Sequence, residues 1–232
     1  MEAGQPYSAY ISRKFTCRGR ICVQPLDEIN EEEMRVFLMF ASAFFQGTPL
    51  EVLPLVPIDS LGVETQENSS GIQYHAEQII KKLRKPRDSQ CMLAITLKDL
   101  YPRDSSNFVC GSAGTDKGVF SFNRYCPPYL SPEEAHELNL YCGCKTLVHE
   151  VSHMFGLKHC IYYKCLMNGN NGDESSPGYL CAVCLRKLQS TLKFNLADRF
   201  RALAEVIAGR PHRKWQKLLS YYEDMLRRLS SN

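Results

Sequence analysis

One short histidine motif constrains the fold of this chain more than any other feature of its sequence. The motif consists of His149, Glu150, His153, Gly156 and His159. Because His149 and His153 are four residues apart on a predicted helix, both imidazoles lie on one face, within reach of a single metal ion. Gly156 tolerates a positive φ angle, which allows the chain to leave the helix sharply and to return His159 as a third ligand. The spacing therefore predicts a helix that ends at a metal centre.

The donor set indicates a catalytic zinc ion rather than a structural one. Three protein ligands leave one coordination position open, which is the arrangement of catalytic zinc sites. Glu150 adjoins the first ligand, where its carboxylate can meet a metal-bound water without binding the metal. Zinc lowers the pKa of such a water to roughly 7, so Glu150 is predicted to act as its general base. The competing interpretation is a polar helix face whose histidines contact only water, and the complete motif argues against it.

A second group of ligand-type residues follows the motif directly. Its members are Cys160, Cys165, Cys181 and Cys184, with C-x₄-C spacing in the first pair and C-x₂-C spacing in the second. Four thiolates in two close pairs form a closed tetrahedral zinc site, which is structural. We therefore expect two zinc ions per chain. Buried thiols without a metal are the alternative, and the remaining cysteines are predicted to fill core space or to lie in loops.

Composition places the chain among globular proteins. Its 232 residues are 44% hydrophobic and 23% charged, enough apolar material for one folded domain. A net charge of +3 gives no sign of nucleic-acid or membrane binding. No apolar run approaches the roughly 18 residues that span a bilayer, and residues 1–15 lack the apolar core of a signal peptide. We expect a cytoplasmic protein with reduced cysteines, with the nucleus as the other compartment, and a monomer.

Apolar periodicity and capping signals predict an α+β fold in which helices dominate the C-terminal third. The predicted strands are residues 21–26, 50–58, 91–97, 108–111 and 119–122. The predicted helices are residues 30–45, 72–85, 131–155, a segment near 181, 196–208 and 213–229. Residues 64–71 are predicted to form a loop. Ser131 and Glu134 have the spacing of a capping box, and an irregularity is expected at Gly143.

These motifs resemble those of a known family. The histidine motif resembles the elongated zinc signature of the metzincins, and the four cysteines with Met167 further resemble the archaemetzincin family. The strong match covers residues 147–188. Met167 stands where the metzincins have a methionine beneath the zinc ligands. Some metzincins have a tyrosine two residues later, where this chain has Gly169.

The resemblance implies a zincin-like zinc peptidase that forms a single domain over residues 1–232. Residues 1–156 would form an upper subdomain with a mixed sheet and the active-site helix. Residues 157–232 would form a lower subdomain with the methionine turn, the four-cysteine site and the C-terminal helices. A peptide substrate would lie extended between them along an edge strand, for which residues 108–111 are the candidate, although an ordinary edge strand fits equally well. The resemblance also implies aminopeptidase action on short peptides.

Two other functions stay open at the level of sequence. The chain could use the same zinc sites to bind a peptide or protein without turnover, but a purely structural site has no need of a base such as Glu150. A zinc hydrolase of a non-peptide amide or ester would use the same attacking group, so the motif does not separate it from a peptidase.

Overall fold

The computed structural model describes residues 4–13, 19–69, 71–103, 108–123, 130–169 and 176–231. The helices are α1 (Tyr7–Ile11), α2 (Glu31–Phe44), α3 (Ala76–Lys82), α4 (Pro132–Met154), α5 (Ala182–Leu192), α6 (Leu196–Ile207) and α7 (Arg213–Ser230). The strands are β1 (Arg20–Pro25), β2 (Leu50–Val52), β3 (Thr65–Asn68), β4 (Gly71–His75), β5 (Ser89–Thr96), β6 (Asp99–Tyr101), β7 (Gly111–Ala113) and β8 (Lys117–Ser121). The chain thus has the α+β architecture that the sequence predicts.

The strands form two sheets of mixed direction. The larger sheet has the order β2-β1-β5-β8-β7, and the smaller has the order β3-β4-β6. In the larger sheet β1, β2, β5 and β8 run parallel, whereas β7 is antiparallel to β8, with Gly111 opposite Phe120. This places the antiparallel strand β7 at one edge of the larger sheet, beside helix α4.

The central strand β5 separates two hydrophobic cores. Successive side chains of a strand point to opposite faces, so alternate residues enter different cores. Cys91, Leu93 and Ile95 belong to the larger core, together with residues of α2, α4 and the C-terminal helices. Met92 and Ala94 belong to the smaller core, together with residues of α3 and the second sheet. Burial on both faces explains why β5 reads as an almost continuous apolar run.

The capping signals predict the starts of two helices correctly. At α4 the Ser131 side chain accepts a hydrogen bond from the Glu134 backbone N–H, and the Glu134 carboxylate accepts one from the Ser131 backbone N–H. At α2 the Asn30 side chain accepts hydrogen bonds from the backbone N–H groups of Glu32 and Glu33. These side chains satisfy donors that have no partner within the helix. The predicted C-terminal helices are confirmed as α5, α6 and α7.

The prediction for residues 64–85 is wrong in its first half. Residues 65–68, predicted to be a loop, form β3, and residues 71–75, predicted to begin a helix, form β4. The helix starts only at Ala76. Antiparallel pairing with β3 and parallel pairing with β6 outweigh the helical spacing of apolar residues in this segment.

Two further predictions need correction at the sheet edges. The strand expected at residues 50–58 is only the three residues of β2, because Pro54 and Pro57 supply no backbone N–H for pairing. The edge strand expected at residues 108–111 lies a few residues later, as β7. Prolines thus limit β2, whereas the bounds of β7 follow its pairing with β8.

Helix α4 is continuous through Gly143, so the expected irregularity is absent. A Cβ atom at Gly143 would lie 2.1 Å from Cε1 of Phe122 and 2.9 Å from Cε1 of Phe37. The glycine therefore permits close packing of α4 against two stacked phenylalanine rings, whose centroids are 4.7 Å apart. Within the part of the chain that the structure describes, no helix has both the length and the apolar character needed to cross a bilayer.

Candidate active site

The C-terminal end of α4 and the turn that follows bring the three histidines of the motif together. The rings of His149 and His153 have centroids 4.6 Å apart on successive turns of the helix. Gly156 adopts a φ of +84° just after the helix ends, and the chain turns back. The His159 ring then lies 4.8 Å from the His153 ring and 5.6 Å from the His149 ring, between centroids. One ring nitrogen of each histidine lies within 4.8 Å of the others.

Backbone carbonyls fix the orientation of two of these rings. Nδ1 of His149 lies 2.8 Å from the Leu166 carbonyl oxygen, and Nδ1 of His153 lies 2.7 Å from that of Leu157. Because a carbonyl oxygen only accepts hydrogen bonds, each Nδ1 carries the proton and each Nε2 presents a lone pair. The two Nε2 atoms face each other at 3.0 Å. A cation between them would relieve the repulsion of these lone pairs, so the arrangement fits a metal site.

Burial keeps His149 in the form that binds metals. Desolvation, reinforced by the neighbouring His153, lowers the pKa of His149 to about 3. The imidazole is therefore neutral at physiological pH, as a metal ligand must be.

Glu150 lies buried next to the histidines, with 7% of its surface exposed. Desolvation raises the pKa of its carboxyl group to about 8. The side chain packs against strand β7, where a Cβ atom at Gly111 would lie 2.7 Å from Oε1 of Glu150. The glycine thus leaves the space that the carboxylate occupies. A carboxyl group whose pKa lies near neutrality is suited to accept a proton and to return it.

An open cleft of about 1140 Å³ contains this cluster. Residues 110–115, which include strand β7, line it together with one face of α4 and the segment after that helix. Arg13, Lys145 and Lys158 also line the cleft, and Glu150 is the acidic residue among its described lining residues. Nζ of Lys145 lies 3.1 Å from Oγ of Ser176. The cleft is open to solvent, and the edge strand β7 forms one of its walls.

The segment after His159 packs against the ring of that histidine. Met167 is fully buried, and its carbonyl oxygen accepts a hydrogen bond of 2.7 Å from the Cys160 backbone N–H. A Cβ atom at Gly169 would lie 2.9 Å from Nδ1 of His159, so the glycine makes room for the imidazole ring. Tyr162 and Tyr163 are 47% and 59% exposed, which favours surface exposure over a position inside the site.

The four predicted cysteines meet in a second, closed cluster. Their Sγ atoms all lie within 4.8 Å of one another, and those of Cys160 and Cys181 are 3.8 Å apart. Tetrahedral coordination with Zn–S bonds of about 2.3 Å separates the sulfur atoms by about 3.8 Å, so the cluster fits zinc. Thiol hydrogen bonds from Cys165 and Cys184 lower the pKa of Cys181. They favour the thiolate, which is the form that binds metals.

The other cysteines of the described ranges are buried and lie outside the metal-type clusters: Cys22, Cys91, Cys110, Cys142 and Cys144. Cys17 and Cys126 lie outside the described residues.

Several residues that shape the site were not predicted from the sequence. Gly111 contacts Glu150 across the sheet edge, and Gln5 and Tyr10 contact the turn after α4. These contacts join residues that are distant along the chain, so no local spacing signals them. A glycine in a strand indicates that another group approaches the backbone closely, but the sequence does not identify that group.

A mixed sheet with an antiparallel edge strand, beside a helix that carries two of three clustered histidines, defines a zincin-like α+β protein. The model of peptidase family M54 matches residues 51–190. Archaemetzincin-2 of Rattus norvegicus is 34% identical, over 89% of this chain and 70% of that protein. Archaemetzincin-2 of Macaca fascicularis is 37% identical, over 77% of this chain and 59% of that protein. The chain belongs to peptidase family M54, the archaemetzincins.

Solved structures agree with this assignment. The crystal structure of an archaemetzincin from Archaeoglobus fulgidus, complexed with malonate, aligns with a TM-score of 0.59 and 28% identity, over 72% of this chain and 99% of that chain. The archaemetzincin from Methanopyrus kandleri aligns with a TM-score of 0.58 and 26% identity, over 76% of this chain and 97% of that chain. By contrast, the chain spans about three fifths of the Macaca fascicularis relative and 45% of human archaemetzincin-1, to which it is 32% identical.

Proposed function

We propose that this chain is a zinc-dependent metallopeptidase in which His149, His153 and His159 bind the catalytic zinc. The observation that carries the proposal is the meeting of these three histidines beside buried Glu150 at the wall of an open cleft. Membership of peptidase family M54 supports the same conclusion. A zinc ion held there would polarise the scissile carbonyl and make a water molecule acidic.

Glu150 supplies the proton transfers in this proposal. Its carboxylate accepts the proton of the attacking water and passes it to the departing amine. Burial supports this role because it raises the pKa of the carboxyl group to about 8. The carbonyls of Leu166 and Leu157 hold the His149 and His153 rings with Nε2 toward the site.

Strand β7 is the proposed binding edge for an extended peptide. It pairs with β8 on one side and lines the cleft, so its other edge is placed to hydrogen-bond with a substrate backbone. Within this proposal the chain acts as an aminopeptidase on short peptides, which rests on the family resemblance. We place it in the cytoplasm, because a metal-type cluster of four cysteines suits a reducing compartment. We further propose that it is a monomer.

The four-cysteine cluster is the proposed structural zinc site, which gives two zinc ions per chain. We further propose one metallopeptidase domain over residues 1–232, divided after α4 into an upper part, residues 1–156, and a lower part, residues 157–232. The larger core supports a single domain, because it contains residues of α2 and α4 as well as of α5, α6 and α7.

A mixed peptide library tests the proposed activity. The library is incubated with zinc-loaded wild-type protein or with the Glu150→Gln variant, and the products are identified by mass spectrometry. We expect cleavage by the wild type alone, in ladders that lose residues from the N-terminus. Internal cuts would correct the aminopeptidase assignment and leave the peptidase in place.

The same experiment separates the two rival functions. If both proteins hold zinc and neither cleaves any peptide, the peptidase proposal is contradicted. Peptides retained by both proteins would then indicate a binding module. Hydrolysis of simple amides or esters without peptide cleavage would indicate a hydrolase of non-peptide substrates.

A further inference from the structure

The turn that carries His159 is held by a glutamine from the N-terminal segment. Nε2 of Gln5 donates a hydrogen bond of 3.1 Å to the Gly156 carbonyl oxygen, and Oε1 accepts one of 3.2 Å from the Lys158 backbone N–H. These two bonds fix the peptide groups on either side of Leu157. Gln5 is only 4% exposed, so water competes little for these partners.

One of these peptide groups also contacts a histidine of the cluster. The group between Leu157 and Lys158 gives its N–H to Gln5, and its carbonyl oxygen accepts the hydrogen bond from Nδ1 of His153. Gln5 and His153 therefore bind opposite ends of the same peptide group. His159 follows Lys158 directly in the chain. The position of this peptide group therefore influences the positions of two of the three histidines, His153 and His159.

A buried lysine fixes the orientation of the Gln5 amide. Nζ of Lys187, on helix α5, donates to the Gln5 backbone carbonyl and lies 3.4 Å from Oε1 of the same residue. Lys187 is 2% exposed, and an ammonium group only donates hydrogen bonds. Oε1 must therefore face Lys187 and the Lys158 N–H, which leaves Nε2 for the Gly156 carbonyl.

A tyrosine donates a hydrogen bond to the start of the same turn. The Tyr10 hydroxyl donates a hydrogen bond of 2.9 Å to the Phe155 carbonyl oxygen, and it lies 2.6 Å from Oγ1 of Thr191 on α5. Tyr10 is 2% exposed. The N-terminal segment thus contacts the turn at Phe155, Gly156 and Lys158.

We propose that Gln5 is a positioning residue for the histidine centre, which acts through the peptide group between Leu157 and Lys158. It holds the carbonyl that orients His153 and the backbone that places His159. Groups that hydrogen-bond directly to a metal-ligating histidine typically change metal affinity by about 10–100-fold when they are removed, and Gln5 acts one peptide group further away. The inference rests on the proposed zinc site. Gln5 and Tyr10 lie outside residues 51–190, which the family model matches.

The test compares Gln5→Met with a matched control, Gln24→Met. Gln24 is 5% exposed, and its Nε2 also donates to backbone carbonyls, those of Pro25 and Pro54, but Gln24 does not line the cleft. Zinc dissociation constants are measured by chelator competition. The zinc that His153→Gln retains measures binding at the four-cysteine site alone. Melting temperatures of all variants are recorded in parallel.

We expect Gln5→Met to weaken zinc binding at the histidine site by about 10-fold, the lower end of the range for direct partners of a metal ligand. The zinc affinity of Gln24→Met should stay within about threefold of the wild type, even if its melting temperature falls as far as that of Gln5→Met. A general loss of stability does not change the orientation of the His153 ring. Gln5→Asn, which keeps the amide but is one methylene shorter, should weaken binding in the same direction and serves if Gln5→Met does not fold. In peptide hydrolysis by Gln5→Met, kcat should fall by a larger factor than KM rises.

Two outcomes contradict different parts of the account. Equal zinc affinity in wild type, Gln5→Asn and Gln5→Met overturns the positioning role of Gln5 and leaves the zinc site in place. A wild-type protein that binds no more zinc than His153→Gln overturns the proposed zinc site, and this inference with it.

Discussion

At the scale of single residues, Gly111 leaves the space that the Glu150 carboxylate occupies. A methyl group at position 111 would lie 2.7 Å from Oε1 of Glu150, so Gly111→Ala must displace the carboxylate. We expect kcat/KM for peptide hydrolysis to fall by at least about tenfold, since a misplaced general base loses most of its contribution. Zinc content should not change, because no ligand is touched.

Gly114→Ala is the matched control for this prediction. It changes a glycine of the same hairpin, but the nearest atom to its added methyl group is the Lys117 carbonyl oxygen at 3.4 Å. Equal activity of the two variants would mean that the position of Glu150 does not limit hydrolysis.

The shifted pKa values of Glu150 and His149 predict how the stability of the zinc-free protein depends on pH. Burial raises the pKa of Glu150 from 4.5 to about 8, so between these values the folded state holds a proton that the unfolded state has lost. The free energy of unfolding therefore falls as pH rises through this window. Burial lowers the pKa of His149 from 6.5 to about 3, so its contribution rises with pH between about 3 and 6.5.

The two effects oppose each other between about pH 4.5 and 6.5, and of these two groups Glu150 alone contributes from there to about pH 8. Cys181, whose pKa is lowered in the fold, makes stability rise with pH in both the wild type and Glu150→Gln. Relative to Glu150→Gln, we therefore expect the zinc-free wild type to lose stability from pH 6.5 to 8, with a difference in slope of up to about 1.4 kcal/mol per pH unit. Urea unfolding of both proteins at several pH values measures it, and parallel curves would show that Glu150 is not buried as described.

Residue-level prediction worked where the signal was local. The spacing of His149, His153 and Gly156 encodes one helix face and one turn, so the sequence was enough to bring these residues together. Gly111 and Gln5 act through contacts with residues far along the chain. Their roles depend on tertiary packing, which no local pattern contains.

At the scale of elements, the segment after α4 joins the two clusters. His159 belongs to the histidine cluster, and the next residue, Cys160, belongs to the cysteine cluster. Cys184 and Lys187 lie one turn apart on α5, so the same helix supplies a cysteine of one cluster and the lysine that holds Gln5. Through Lys187 and Gln5, helix α5 therefore stabilises the turn that carries His159.

The cysteine cluster is expected to stabilise the fold more than it affects the chemistry. Cys181→Ser should lower the melting temperature more than Glu150→Gln does, because binding at a closed zinc site contributes directly to folding. Cys22→Ser is the control, since Cys22 is a fully buried thiol outside the cluster. Differential scanning calorimetry with and without a chelator makes the comparison.

If the chelator lowers the melting temperature of Cys181→Ser as much as that of the wild type, the cysteine cluster does not hold the stabilising metal. Equal melting temperatures for Cys181→Ser and Glu150→Gln would contradict the prediction in the same way.

Elements with capping residues or long periodic faces were predicted well, as α2, α4 and the C-terminal helices illustrate. Residues 65–75 were not, because β3 and β4 are polar strands that owe their conformation to pairing with each other and with β6. Apolar residues at helical spacing in that segment misled the prediction. The start of β7 was similarly set by its partner β8 rather than by composition.

At the scale of the whole molecule, one core connects the parts that form the site. The larger core includes residues of α1 and α2 near the N-terminus and of α7 near the C-terminus, beyond residues 51–190 that the family model matches. Parts of the chain outside the range that the family model matches therefore pack with the helix and the turn that carry the histidines. Composition and length predicted one folded domain, and they gave no sign of the second core on the far side of the sheet.

The most direct test of the central claim is anomalous diffraction from a crystal of the purified protein, recorded on both sides of the zinc absorption edge. We predict two zinc peaks per chain, one among the His149, His153 and His159 rings and one among the four cysteine Sγ atoms. A single peak at the cysteines, with no zinc between the histidines, would contradict the proposed catalytic site.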